Sequence, residues 1–425
     1  MQFKTIKNLI LLILFSSISF ISAQEKATIS GIIKDVKTGE TILGATVYFK
    51  NTNIGTTTNN YGFYSMTVPK GNYNLTVSYL GYNTIEKKIF LTENKTLNLE
   101  IAPIETALEE IIIVAEESER TNIKKPQASV TKLKASTIKK IPVIFGEVDV
   151  IKSIQMLPGV TNNGEGSSGF NVRGGAADQN LVLLDEAIIY NTSHLLGFFS
   201  VFNVDAIKDM KLYRGGIPAQ FGGRVSSVLD VQQKDGNQKK FSLSGGIGLV
   251  SSRLLAEGPL FNKKGSFMVA GRSSYIHLFL PLAGVKSKAY FYDVNAKGHY
   301  KINDSNTLYL SSYFGRDDFD FDGWFTDSYG NNSGNLHWNH IFNQKLFSNT
   351  SLIYSRYDYK LTFDHLKRYW ISDIKNFSIK YDLQYFANET MKWKFGFSGI
   401  SCIFIHGKIS PSAPGSSIDA DQLDK

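Results

Sequence analysis

Between residues 241 and 403 the chain reverses at short polar turns that recur with a long, even period. The turns lie at 262–265 (NKKG), 303–306 (NDSN), 343–345 (NQK) and 388–390 (NET), some forty residues apart. Each interval holds two long strands and one longer loop. Short turns on one side and long loops on the other are the signature of an antiparallel barrel that crosses a membrane. Side chains alternate between the two faces of a strand, and the stretch MKWKFGFS shows what each face meets. Met391, Trp393, Phe395 and Phe397 point one way, to lipid, while Lys392, Lys394, Gly396 and Ser398 point into a wet lumen. A soluble sandwich would have to bury that aromatic row against a second sheet. Composition agrees: aromatic residues make up 13% of 425, as a girdled barrel requires, and an apolar share of 42% leaves no run of membrane helices. The chain is read as mainly β.

The segments ahead of this region differ in character. Residues 1–23 carry Lys4 and Lys7, then an apolar core and Ala23, the pattern of a secretory signal peptide. Residues 27–102 contain short strands separated every eight to twelve positions by turn residues such as Asn59-Asn60 and Gly81, which predicts a small antiparallel β-sandwich. Residues 103–125 form a charged linker around ALEEIIIVAEE. Its run Ile111, Ile112, Ile113, Val114 has acids on both sides and no alternation, so it invites pairing with a foreign sheet edge; a strand continuing the sandwich is the alternative. Residues 126–240 read as a small α/β unit with a helix at 147–157, and residues 241–425 as the first part of the barrel. About nine strands are counted by residue 403, after which the chain is loop-like.

The small α/β unit is densest in signal. LVLLD (181–185), MKLYRGG (210–216) and SSVLDV (226–231) are strands closed by turn residues, and Val201, Val204, Ile207 and Met210 recur at helical spacing. Arginine and glycine are paired at the turns: Arg173 with Gly174 and Gly175, Arg214 with Gly215 and Gly216, and Gly222-Gly223 with Arg224. Glycine permits left-handed turns, and each arginine offers a planar fork of five donors. The ordered blocks NVRGG, LVLLDEAIIYN and IKDMKLYRGGIPAQFGGRVSSVLDV resemble the plug domain of TonB-dependent outer-membrane receptors, with Asp185 and these Arg-Gly turns as its motif residues. Glu186 stands where many plugs have Gly, and Gly216 where many have Pro. GIIKDVKTGETILGATV and GTTTNNYGFYSMTVPKGNYNLTVSYLGY resemble the carboxypeptidase-regulatory-like domain often found before plugs in Bacteroidetes receptors.

The resemblance implies a plug sealing an outer-membrane barrel, a ligand site at the plug apex and outer loops, and energy from TonB with ExbB and ExbD on the periplasmic side. The segment Leu108, Glu109, Glu110, Ile111, Ile112, Ile113, Val114, Ala115 resembles the family's TonB box. Apex candidates are 162–169 and 190–199, the second with Tyr190, His194, Phe198 and Phe199 suited to an apolar or ring-bearing solute; packing of these aromatics against the barrel wall is the alternative. Arg173, Arg214 and Arg224 are expected to pair with wall carboxylates and hold the plug. Receptors of this family close with twenty-two strands, so the chain is expected to be a C-terminally truncated product. The implied function is active uptake of a scarce solute of the siderophore, cobalamin or glycan class, with outer-membrane lipid as surroundings; a non-transporting surface protein, an adhesin or sensory receptor, is the alternative.

Other signals are weaker. GEGSSG (164–169) fits a dinucleotide pattern but lacks a preceding strand and a following helix. Asp318, Asp320 and Asp322 begin like a calcium loop, but Tyr329 stands where the closing Glu belongs; the competing expectation is a lumen-facing acidic row with Phe319 and Phe321 in lipid. His337 and His340 fall on opposite faces of a strand. Cys402 is the single cysteine, which excludes a disulfide framework and a cysteine-based zinc cluster. The net charge of +8 comes without a basic stripe or nucleic-acid motif. No Ser/His/Asp set or phosphate loop is present, so neither an enzyme nor a cofactor is expected.

Overall fold

A computed structural model of the chain describes residues 25–104, 129–141, 147–162, 164, 169–388 and 391–411. The predicted leader and the segment 108–115 lie outside the described residues, as does most of 162–169. The chain divides into two compact units, the first made chiefly of residues up to Ile101.

In the first unit, Lys26–Asp35 pairs antiparallel with Phe63–Pro69, placing Ile29 opposite Met66, and parallel with Lys95–Thr96. A second sheet runs Gly55–Thr57, Thr46–Phe49, Gly71–Ser78, Ile85–Leu91. Ile29, Ile33, Val47, Phe49, Met66, Val68, Leu75 and Val77 fill the space between as one core. Each fully buried side chain of this kind stabilises by about 1.5–3 kcal/mol. The turn at Asn59 is closed by its side chain, whose Oδ1 accepts from the backbone of Tyr61 and Phe63 at 2.9 and 3.0 Å.

The second unit begins with a five-stranded mixed sheet, in the order Ala187–Ile188, Asn180–Leu184, Ser227–Gln233, Ile207–Tyr213, Val130–Lys134. Asn180–Leu184 and Ser227–Gln233 run parallel, Leu181 beside Val228. A helix at Val150–Gln155 is capped by Asp149, whose Oδ1 accepts from Lys152 N at 2.9 Å. It buries Val150, Ile151 and Ile154 against Val182, Leu184, Met210, Leu212, Leu229 and Val231. The opposite face of the sheet carries Leu181, Leu183, Tyr213 and Val228. The helical spacing of Val201, Val204, Ile207 and Met210 does not produce a helix: turns at 201–206 lead into the strand Ile207–Tyr213. All four are buried in the same core. That strand is buried on both faces, which erases the two-residue period that would have marked it.

Nine antiparallel strands follow in chain order: Ser242–Ile247, Ser251–Leu260, Gly265–Ser274, Lys288–Asn303, Asn306–Phe321, Phe325–Asn343, Leu346–Phe363, Arg368–Phe386 and Lys392–Pro411. The expected long loops opposite the polar turns are mostly absent. Only 275–287 is long; 322–324 and 364–367 are as tight as the polar turns themselves. The residues assigned to loops extend the strands instead, which reach 16 to 20 residues. A tilted strand needs only about 9–11 residues to cross a bilayer, so the surplus projects beyond it.

Asn306–Phe321 shows the two faces of this wall. Tyr309, Ser311, Tyr313, Asp317 and Phe319 are buried against the plug side. The alternate row is exposed and changes character along its length: Leu310 and Phe314 are 60% and 39% exposed, and Arg316, Asp318 and Asp320 follow. The expectation for Asp318, Asp320, Phe319 and Phe321 is therefore reversed. The aromatic pair faces inward, Phe319 packing with Leu195 and Phe199 of the plug, and the acids face outward above the apolar belt. An aromatic row signals an apolar neighbour, and here the plug supplies one.

Candidate functional site

The plug is bonded to the wall through buried charges whose order along the chain is far apart. Arg272, on Gly265–Ser274, is engaged at each of its three nitrogens. Nε and Nη2 donate to Asp293 Oδ2 at 2.8 and 2.6 Å, Nη1 donates to Glu147 of the plug, and Nη2 also donates to the Ser200 carbonyl at 2.7 Å. Asp293 in turn meets His194 Nε2 at 3.2 Å, and His194 Nδ1 lies 2.6 Å from Asp317 Oδ2. The second oxygen of Asp317 accepts from Leu195 N at 2.7 Å, and the His194 ring stacks on Phe291 with centroids 4.3 Å apart. Burial opposes a charge on His194, yet Asp317 and Asp293 outweigh it and raise its pKa above the ordinary imidazole value. As an imidazolium it donates to both carboxylates.

Further along the seam, Lys297 Nζ lies 3.1 Å from Asp235 Oδ1 and 3.2 Å from Asp185 Oδ2. Arg253 Nε donates to Asp205 Oδ2 at 2.7 Å, and Lys380 Nζ reaches Glu186 Oε1 at 3.1 Å while Ser351 Oγ donates to Glu186 Oε2. Asparagines complete it: Asn335 donates to the Asp185 carbonyl at 2.6 Å and Asn331 to the Asn191 carbonyl at 2.8 Å. The polarity is consistent. The plug contributes Glu147, Asp185, Glu186, Asp205 and Asp235, and the wall contributes Arg253, Arg272, Lys297 and Lys380. His194 against Asp293 and Asp317 reverses the signs.

This corrects the expected role of the Arg-Gly turns. Arg173 Nη2 donates to Ser129 Oγ at 2.6 Å, Arg214 to Thr131 Oγ1 at 3.0 Å and to the Pro158 carbonyl, and Arg224 to the carbonyl of Gly223 at 2.8 Å. Arg173 and Arg214 tie turns of the plug to one another, where carbonyls and hydroxyls stand within reach of the fork; the Arg224 bond is local. The two departures from the plug pattern also gain a reason. Gly216 has φ of 57°, which a proline ring forbids. Asp185 and Glu186 take φ of 45° and 71°, a turn whose strain costs on the order of 1–3 kcal/mol per residue. Asp185 accepts from Gln233 N at 3.0 Å and Glu186 reaches Lys380, so bonds unavailable to glycine offset that strain. The wall partners Arg272, Lys297 and Lys380 escaped sequence reading. Their one signal was a lone cation on the inward side of an alternating strand.

The four apex residues separate into two roles. His194 and Phe199 are buried, 1% and 4% exposed, Phe199 lying 5.9 Å from Phe291. Phe198 is 53% exposed beside Leu196 at 43%. Tyr190 is half-buried, its backbone N donating to Asn331 Oδ1 at 3.2 Å. Asp318, Asp320 and Asp322 do not gather as a calcium site: Asp318 accepts from Ser328 Oγ and Asp320 from Gly323 N, and no group of three possible ligands occurs among the described residues. His337 is buried and His340 is not, as their spacing requires.

Two domain families match this chain. The CarboxypepD_reg-like domain matches residues 29–113, and the TonB-dependent Receptor Plug Domain matches residues 122–228. The chain thus carries a TonB-dependent receptor plug domain behind a CarboxypepD_reg-like domain. Among curated relatives, the chain is similar to TonB-dependent receptor P3 of Formosa agariphila, 28% identical over 251 residues that make up 56% of this chain and 24% of that protein. The match thus spans about a quarter of the relative's length. In fold, the chain resembles the ferric enterobactin receptor of Pseudomonas aeruginosa, with a TM-score of 0.52 at 15% identity over 69% of this chain and 51% of that one. It also resembles the siderophore receptor PirA of Acinetobacter baumannii, with a TM-score of 0.50 at 14% identity over 66% and 49%. The family and these β-barrel neighbours are outer-membrane proteins.

Proposed function

We propose that this receptor imports a scarce, bulky solute of the siderophore, cobalamin or glycan class across the outer membrane, driven by TonB with ExbB and ExbD. The observation that carries this reading is the seam. A plug held only by its apolar core would slip, and one welded by apolar contacts would not move. Here charged pairs and asparagines fasten it to the wall, polar contacts that a pull can break and that can re-form. The outer membrane has no nucleotide pool, and the chain has no nucleotide motif, so work on the plug arrives by contact with another protein. The segment 108–115 is the proposed handle, adding a strand to TonB through main-chain hydrogen bonds. Solute meets the apex at Phe198 and Tyr190, while His194 and Phe199 act as posts that set the height of the apex against the wall.

In whole cells, Ile112→Pro is expected to abolish uptake while leaving solute binding at the surface intact, because proline removes a ladder donor. Phe198→Ala is expected to weaken surface binding with the plug still seated. Normal uptake by the Ile112→Pro receptor would refute the coupling role of the segment.

A further inference from the structure

The acids of the seam each have a cation partner: Glu147 and Asp293 have Arg272, Asp185 and Asp235 have Lys297, and Asp317 has His194. Asp327 has none. It lies on the inward face of the strand Phe325–Asn343, two residues beyond Tyr329 and so about 7 Å farther along towards the turn at 322–324. Tyr329 marks the top of the plug, because its hydroxyl accepts from Leu196 N at 3.2 Å. Leu196 and Phe198, 43% and 53% exposed, are the uncovered apolar residues of that apex. Asp327 therefore stands just outside the apex, at the level where a solute resting on Leu196 and Phe198 meets the wall. Its side chain is part-exposed there, as are those of Tyr357 and Tyr359.

The surroundings of Asp327 are aromatic and acidic. Phe319 is directly opposite it on one neighbouring strand, and Tyr359 is opposite Tyr329 on the other. Tyr359 and the Ser328 backbone hydrogen-bond the carboxyl, and Asp317, Tyr329 and Tyr357 are the other groups close enough to share its field. No Lys, Arg or His is among them. The buried Oδ1 is left without a hydrogen-bond partner. Such an oxygen is costly to leave unsatisfied, and nothing in the wall or the plug supplies its donor among the described residues. The faces of the surrounding rings attract positive charge as well. We propose that Asp327, with Tyr357 and Tyr359, is the cation subsite of the solute site, so that the solute carries an ammonium or guanidinium group beside its apolar part. This rests on the import reading above and narrows it. An anion in the same place would meet Asp327 and Asp317 as like charges.

The test titrates the full chain in mild detergent at neutral pH with two probes of the same size, phenethylammonium and the uncharged phenethyl alcohol. Two variants are compared with it. Asp327→Asn removes the inward charge and keeps the shape of the side chain. Asp320→Asn removes an equal charge from the outward face, one strand away, where Asp320 pairs with Thr326 and accepts from Gly323 N. Salt at about 0.15 M screens exposed charges beyond roughly 8 Å. The unaltered protein and Asp320→Asn are expected to bind the ammonium at least tenfold more tightly than the alcohol. Asp327→Asn is expected to lose that preference with its affinity for the alcohol unchanged. Equal affinities for the two probes in the unaltered protein, no binding of either, a preference that survives in Asp327→Asn, or one lost in both variants would overturn the proposal. Binding is read here without energy coupling, so these outcomes leave the import reading standing; normal uptake by the Ile112→Pro protein would sink its coupling step and leave the subsite untouched.

Discussion

The inward and outward faces of the wall come from the same strands, one residue apart, yet they are held by different forces. Inward, Tyr313 joins the plug core while Arg272, Asp293 and Asp317 form charged bonds shielded from water. Outward, Leu310 and Phe314 are exposed, and the charges beyond them, Arg316 with Asp358 at 2.7 Å and Arg356 with Asp373 at 2.8 Å, are part-exposed. The contrast teaches that alternation identifies which residues share a face but does not say which face is lipid. Charge inside is costly to orphan; charge outside above the belt is nearly free to remove.

Substitutions should separate the faces by size of effect. Arg272→Ala orphans Glu147 and Asp293 inside the seam and is expected to cost about 3–5 kcal/mol in thermal or urea unfolding; a loss below about 1 kcal/mol would erase the contrast. Leu310→Lys puts a charge in the lipid belt and is expected to cost about 2–4 kcal/mol near mid-plane, read as reduced folding yield in liposomes. His194→Gln gives up charge-assisted bonds each worth about 1.5–3 kcal/mol. Because the folded pKa of His194 is raised, its charge contributes fully below the ordinary value near 6.5 and is lost as pH rises through the folded pKa. The stability gap between the receptor and His194→Gln should therefore be widest at pH 6 and narrow in alkali; a gap that widens with pH would mean that His194 is neutral in the fold. The smallest effect is expected from Arg316→Ala, about 1 kcal/mol or less.

Much of the fold was legible. The Asn59 turn and the helix Val150–Gln155 within 147–157 follow local rules that a sequence displays. The seam was not. His194 meets Asp317 across 123 positions and Glu186 meets Lys380 across 194, and nothing in a local window announces such pairs. The Arg-Gly turns drew attention for the plug-to-wall role because arginine forks are conspicuous, whereas the acids that do reach the wall, Glu147, the pair Asp185-Glu186, Asp205 and Asp235, are scattered along the chain. Phe319 and Phe321 misled for a related reason: plug and lipid are both apolar, and only the three-dimensional neighbour tells them apart.

The central claim, that adjacent residues of one strand face the plug and the lipid, is most directly tested at Ser311 and Ser312. Single cysteines are placed at each in a Cys402→Ser background, spin-labelled, and examined in liposomes for collision with oxygen and with a polar nickel chelate. The label at Ser312→Cys should collide freely with oxygen and poorly with nickel, while the label at Ser311→Cys should be immobile and shielded from oxygen. Equal oxygen accessibility at the two positions, or the reverse order, would contradict the account.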